Sequence, residues 1–256
     1  MNRLTVMRTT PDTALAGALV LVLVLALALP AAAQAPKPPA STAPAALRKM
    51  LPVDEGAADT SWVQFRSALL EQLQRRDRSA LLNIIDPNVM NPLEAPRGIA
   101  TFRKLWDIGG KDHQLLDDLR AALQQGSAWY QPKKSARLLC APYVSIKWPL
   151  QAVDPYHSGA ITVKEALVKS EPSHASATLG TLSYDIIRVR DWEVGDKDEQ
   201  LQQRWVKIRR GERDRDGYVP AEHIRSAIEY RACFAKTAAG WRLAEYVVGI
   251  ENLGGE

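Results

Sequence analysis

Between Ile161 and Ile224 the chain offers five short extended runs: ITVKEALVKSEP, ATLGTL, YDIIRVRDW, RWVKIRR and DGYVPAEHI. Turn-formers separate them, namely Pro172 with Ser173, Gly180, Asp196, and the stretch from Gly211 to Gly217. Ile187 and Val189 alternate with Arg188 and Arg190, and Val206 and Ile208 alternate with Lys207 and Arg209. That period of two belongs to strands with one buried and one wet face. Short strands at this spacing predict a small antiparallel barrel over 158–227 and argue against a helix bundle or a parallel sheet there.

The same run resembles a bacterial SH3-like domain. The residues that carry the resemblance are Val168 to Ser173, Leu182, Val189, Trp205 to Ile208, and Gly217 with Tyr218 and Val219. It covers roughly a quarter of the chain. Two positions depart from the pattern: Glu171 stands where the family often has glycine, and the segment from Glu193 to Arg204 is longer and more charged than a usual loop. What the resemblance implies is a barrel fold and a role in binding cell-wall peptide or another envelope peptide.

The chain begins with Arg3 and Arg8, then an uninterrupted apolar run from Ala14 to Leu29, then Pro30 and the small residues Ala31, Ala32 and Ala33. This is the order of an export signal. We expect cleavage after Ala33, since cutting after Ala35 would put Pro36 beside the scissile bond, where its fixed φ and missing N–H suit few protease sites. The alternative is a retained anchor, although sixteen apolar residues fall short of the ~20 a membrane helix needs. No cysteine follows the apolar run, which argues against a lipid-anchored form. From Gln34 to Ala57 the composition turns to Pro, Ala, Lys and Ser, which cannot bury a core and reads as a disordered linker. The expected location is therefore the periplasm. Without residues 1–33 the formal charge drops from +4 to about +3, too little to mark a nucleic-acid surface.

Export bears on the two cysteines. Cys140 and Cys233 both lie in apolar, strand-like runs, LLCAPYV and YRACFAK. In an oxidising compartment such a pair can bridge; the other reading is two separate buried thiols acting as small hydrophobes.

Residues 58–150 read as a helical α+β lobe. Ser61 and Gln64 form a capping-box pattern, after which Trp62, Phe65, Leu69 and Leu73 recur at helical spacing. A second helix starts at Asp77 and stops before Asp86 and Pro87; Ala100 to Trp106 and Asp112 to Gln125 make two more, the last ending on Gly126. The segment after Gly126 is extended. Over 228–256 the runs Tyr230 to Lys236 and Trp241 to Ile250 form a hairpin around Thr237 to Gly240. We expect this hairpin to pair with the strand around Leu138 to Val144 and to cover the helices, leaving the barrel inserted in the lobe or beside it. Helices first and a terminal hairpin last is an order similar to that of the cone-shaped NTF2-like proteins, and it would put Cys140 and Cys233 on neighbouring strands.

Few residues carry chemistry. Glu212 to Val219 (ERDRDGYV) echoes a calcium loop, but its first position is Glu, its twelfth falls on His223, and Arg213 and Arg215 offset the carboxylates. A solvated hairpin tip is the better reading. Cys140 with His113, His157, His174 or His223 could be imagined as nucleophile and base, yet Cys140 follows Leu138 and Leu139 in a strand and lacks the electropositive setting a thiolate needs. The histidines lack metal-ligand spacing, and no glycine loop cradles a phosphate. No catalytic residue, metal or cofactor is indicated. What remains is aromatic: Tyr184, Trp192, Trp205 and Tyr218 sit on the barrel strands or their ends, where an aromatic edge can grip an extended peptide. The expected function is non-enzymatic binding of peptidoglycan peptide or an envelope-protein segment. Two alternatives stand beside it. One is a closed pocket of roughly 300 Å3 or more in the helical lobe, lined by Trp62, Phe65 and Trp106, for binding or catalysis. The other is a purely structural assembly role.

Overall fold

The computed structural model describes residues 48–256 apart from 111–112, 134–135, 199–200, 211–214, 252 and 254–256. The expected export signal, the linker up to residue 47 and the first residues of the calcium-like loop lie outside that set. No helix among the described residues is long and apolar enough to cross a membrane. The architecture is α+β. The chain runs α1 (Thr60–Gln74), α2 (Arg78–Ile84), β1 (Ile85–Met90), α3 (Ile99–Leu105), α4 (Gln114–Gln124), β2 (Ala128–Tyr130), β3 (Leu138–Ala141) and α5 (Tyr143–Lys147). It continues through β4 (Ser158–Ile161), β5 (Ala166–Lys169), β6 (Thr178–Leu182), β7 (Ile186–Gly195), β8 (Arg204–Arg210), β9 (Arg215–Pro220) and β10 (Ile224–Ser226), and closes with β11 (Tyr230–Thr237) and β12 (Gly240–Val248).

The helices start where the sequence puts their caps, with one change of residue. Asp59, rather than Ser61, caps α1: its carboxylate accepts from the Ser61 and Trp62 N–H groups. Asp77 caps α2 through the Ala80 N–H. Gly126 follows α4 at φ +83°, the left-handed conformation expected of a helix C-terminus. The apolar stripe of α1 then buries Trp62, Leu69 and Leu73. Trp62 lies 5.1 Å from both the Phe234 and Trp241 rings, so the first helix interlocks with the terminal hairpin. A polar relay reinforces that contact. Lys236 pairs with Asp59 at 2.7 Å, Ser61 Oγ donates to Asp59 at 2.6 Å, and the Trp241 indole N–H donates to Ser61 Oγ at 3.1 Å.

These helices pack on a five-stranded sheet ordered β1-β12-β11-β3-β2. The hairpin β11–β12 pairs with β3 as expected, with Cys233 opposite Cys140, and the two sulfurs form a disulfide with a Cα–Cα distance of 4.0 Å. β1 was not foreseen; it runs parallel to β12 at the sheet edge, a position that tolerates Pro87. The strand predicted over Leu138 to Val144 stops at Ala141. Pro142 has no N–H to continue a ladder, follows a cis peptide bond, and serves as N-cap of α5.

The segment between β3 and β11 contains the second sheet, seven antiparallel strands ordered β10-β4-β7-β8-β9-β5-β6. This order does not close on itself among the described residues. Two of the five expected strands are split. The run from Ile161 to Pro172 breaks because β4 pairs with β7 and β10 while β5 pairs with β6 and β9, so the chain turns a corner at Thr162 to Glu165. The run ending at Ile224 breaks at Pro220, which opens a 3₁₀ turn over Ala221–His223. Alternation otherwise holds: Ile187, Val189, Val206 and Ile208 face one apolar core with Ile161, Val168 and Val219.

A third core joins the two sheets. Met50, Ala128, Tyr143, Val144, Trp148, Ala160, Ile186 and Ala227 come from the entry segment, the first sheet, α5 and the second sheet together. Residues 48–57, assigned to the linker from composition, therefore belong to the folded part. Met50 is buried, its N–H donates to the Tyr184 carbonyl at 2.7 Å, and Lys49 pairs with Asp185 at 2.7 Å. Two apolar anchors, Met50 buried and Val53 partly buried, pack into the core from a segment whose composition reads as solvated.

Two outcomes are expected. The Cys140–Cys233 bridge spans a separation of 93 residues, for which chain-entropy arguments give about 4 to 5 kcal/mol. Replacing both cysteines by Ala should lower Tm by roughly 10 °C in a domain of this size, read by calorimetry. Separately, the Lys236 and Ser61 hydrogen bonds hold the Asp59 carboxyl down at about 2, from an ordinary 3.8. A depressed carboxylate contributes stability that is fully present above its unfolded pKa and is lost as pH falls through the folded one. Asp59→Asn keeps a good N-cap, so urea midpoints of wild type and variant should differ at pH 5 and converge as pH falls from about 4 to 2.

Candidate functional site

The second half of β7 holds the side chain on which a site can be built. Its pairing with β8 shifts register between Val189 and Asp191 and again between Asp191 and Val194. Strict alternation would turn Asp191 inward with Val189; the irregularity instead leaves Asp191 exposed and packs Trp192 against the apolar core. The ring sits over Gly159: a Cβ there would lie 2.7 Å from Trp192 Cη2 and 2.8 Å from Ile224 Cδ1. Glycine is required at that spot so the indole can reach across β4.

Trp192 lines a cleft of about 800 Å3 between the second sheet and the helical lobe. Thr162, Val163, Val206 and Ile224 continue its sheet side; Ala121 and Gln124 of α4 and Gln125 at its C-cap line it from the helical lobe, and Pro52 and Tyr143 line it as well. A neighbouring cleft of about 480 Å3 shares Pro52, Gln124 and Gln125 with it and contains the Asp54–Arg66 pair.

Four of the five charges in the main cleft are paired. Arg204 meets Glu193 at 3.3 Å, both exposed. Arg225 meets Glu229 at 2.9 Å, with Arg225 buried and Glu229 half-buried. Glu222 accepts from Gln203 at 2.8 Å. On α4, beside this site, burial raises the Asp118 carboxyl above its ordinary value, with the Arg225 guanidinium pulling the other way. Burial also pushes the Tyr143 phenol up to about 12, and its O–H donates to the Met50 carbonyl at 3.1 Å, so it stays a neutral donor. An apolar ring beside fixed charges of both signs suits non-covalent capture of a chain carrying both signs. The disulfide engages both sulfurs, which removes the thiol nucleophile considered above. Among the described residues no group of three or more His, Cys, Asp or Glu is placed to hold a metal.

The four aromatic candidates do not share one groove. Trp205 is fully buried outside the cleft; its indole N–H donates to Asp196 at 2.7 Å and its ring lies 4.9 Å from His174, so it pins the turn after β7. Tyr218 is half-buried and stands in cross-strand register with Lys169 and Lys207, away from the cleft lining. Tyr184, at φ +54°, is half-buried on the bend before β7, where its carbonyl receives the Met50 N–H. Trp62, Phe65 and Trp106 line neither cleft: Trp62 and Phe65 pack on Phe234, and Trp106 packs on Tyr230 and Tyr246. Sequence reasoning missed Arg225, Glu229 and Gln125. For Arg225 a signal existed, because a charge between Ile224 and the Ala227–Ile228 pair is out of place in a buried strand unless it has buried partners.

Compared with models of known protein families, with curated proteins and with solved structures, the chain matches none. The function must therefore be argued from the cleft.

Gly159→Ala should displace the indole while leaving the strands intact. The expected reading is a moved Trp192 Nε1–H cross-peak in the proton–nitrogen NMR spectrum, with most other amide signals unchanged.

Proposed function

We propose that the protein is an exported, non-enzymatic binding protein of the periplasm, in which strands β4 to β10 form an SH3-like module that takes peptidoglycan stem peptide into the cleft around Trp192. One observation carries this reading: the cleft joins a half-buried tryptophan to paired charges of both signs in a volume of about 800 Å3. A short peptide bearing carboxylates and an amine matches such a lining, because its charges can exchange with the exposed Arg204–Glu193 pair and its apolar side chains can meet the indole. The resemblance of the strand pattern to SH3-like domains supports the same substrate class. So does the N-terminal pattern of an export signal, which would deliver the protein to the compartment that holds the wall.

The test is co-sedimentation of the chain from Gln34 onward with purified sacculi. Wild type should be retained and released by soluble stem peptide, and Trp192→Ala should weaken retention by about tenfold or more, as expected for an aromatic anchor. Equal retention of the variant and wild type would overturn this site assignment; no retention of either would redirect the search to an envelope-protein segment.

A further inference from the structure

The smaller cleft contains a cation with one open edge. Arg66 of α1 lines it beside Val53, Asp54, Leu70 and Gln124. Asp54 holds one corner of the guanidinium, accepting from Nη1 at 2.7 Å on its Oδ2. Asp54 is itself fixed from the segment after α4: its Oδ1 accepts the Ser127 N–H at 3.2 Å and the Ser127 hydroxyl at 2.7 Å. That carboxylate is thus engaged three times, while the guanidinium is engaged once. Arg66 Nε and Nη2 have no hydrogen-bond partner among the described residues, and neither atom is sealed from solvent; the side chain as a whole is 21% exposed. A ligand in the cleft can therefore reach them.

The chemistry of that edge is selective. Nε–H and Nη2–H lie side by side in the guanidinium plane and point the same way, the spacing that matches the two oxygens of a carboxylate. A bidentate ligand there leaves the Nη1 contact with Asp54 intact, and because Asp54 and Ser127 pin the other corner, the side chain has little freedom left to lose on binding. An amide carbonyl would meet only one of the two donors, and an ammonium has no acceptor to offer. A doubly charged phosphate would crowd negative charge beside Asp54, the one acidic residue of this cleft, so a singly charged carboxylate is the better balance.

We propose that the Nε–Nη2 edge of Arg66 binds the terminal carboxylate of a peptide whose remaining residues extend into the main cleft. The choice of a peptide rests on the reading of the main cleft given above. Pro52, Gln124 and Gln125 line both clefts, so a single chain can occupy the two. Val53 and Leu70, both half-buried, offer apolar contact to a small terminal side chain.

The experiment titrates the isotopically labelled chain with N-acetyl-trialanine, which ends in a carboxylate, and with N-acetyl-trialanine amide, which has the same backbone without the charge. The acid should give a saturable NMR shift of the Arg66 Nε–H and bind about tenfold or more tighter than the amide. Arg66→Lys keeps the charge and loses the paired donors; followed through the Trp192 indole signal, it should bring the acid down to the affinity of the amide. If that variant fails to fold, Arg66→Gln carries the test with the same expected direction. Equal binding of acid and amide, no saturable Arg66 shift, full affinity in Arg66→Lys, or sodium acetate or inorganic phosphate matching the acid peptide would each overturn the proposal. Sacculus retention that needs Trp192 but is unchanged in Arg66→Lys leaves the wall-binding reading standing and overturns this one. Acid-dependent Arg66 shifts without sacculus retention do the reverse.

Discussion

The antiparallel pairing of β3 with β11 is the constraint on which the rest of the molecule depends. Ala141 faces Ala232 and Cys140 faces Cys233, and the disulfide closes that register covalently. Everything between those residues, α5 and the whole seven-stranded sheet included, leaves and re-enters the first sheet at one place. A buried charge cluster completes the join. Arg231, fully buried, donates to the Val248 and Gly249 carbonyls, lies 3.5 Å from Glu245 and approaches the Cys233 sulfur at 3.4 Å. Burial lowers the Arg231 guanidinium and raises the Glu245 carboxyl, while each offsets the other's shift. Breaking such a pair would leave a lone buried charge, which is worse than never having had the pair. Arg231 thus fixes the β11 start and the β12 end as one unit.

With its ends held, the inserted sheet is oriented by the shared core around Tyr143, Trp148 and Ile186. That packing is why the cleft exists. Its two sides belong to different layers, strands on one and the end of α4 on the other, and Pro52 from the entry segment lines it with them. A ligand held there would touch both halves of the fold, so binding and the relative placement of the two sheets are linked through the same residues.

How far the sequence disclosed this depended on the range of the forces involved. Local signals were legible: the caps at Asp77 and Gly126, the stripe of Trp62, Leu69 and Leu73, and the alternation at Ile187 to Arg190 and Val206 to Arg209. Pairing of the terminal hairpin with the Leu138 strand was legible too, because two apolar runs with one cysteine each had few other places to go. What escaped was non-local. β1 is a strand only because β12, over 150 residues later, runs beside it. Residues 48–57 look like linker until Met50 finds its core. Trp192, next to the charged loop, was the aromatic candidate the pattern left most open, but its place in a cleft follows from the register shifts in β7, as that of Trp205 under a turn follows from the Asp196 carboxylate.

The parallel contact of β1 with β12 has one more consequence. Ile85 is matched with Leu243 and Met90 with Glu245, so the first strand among the described residues is flanked by the last. Synthesis proceeds from the amino end, and throughout it the helical lobe lacks the strand that covers Trp62 and Phe102. Local helices can form early, yet their shared apolar surface lacks this cover until β12 has been made. Completion of this fold therefore waits on β12, and a chain stopped short of that strand would expose the aromatic interior of the lobe even with every earlier element present.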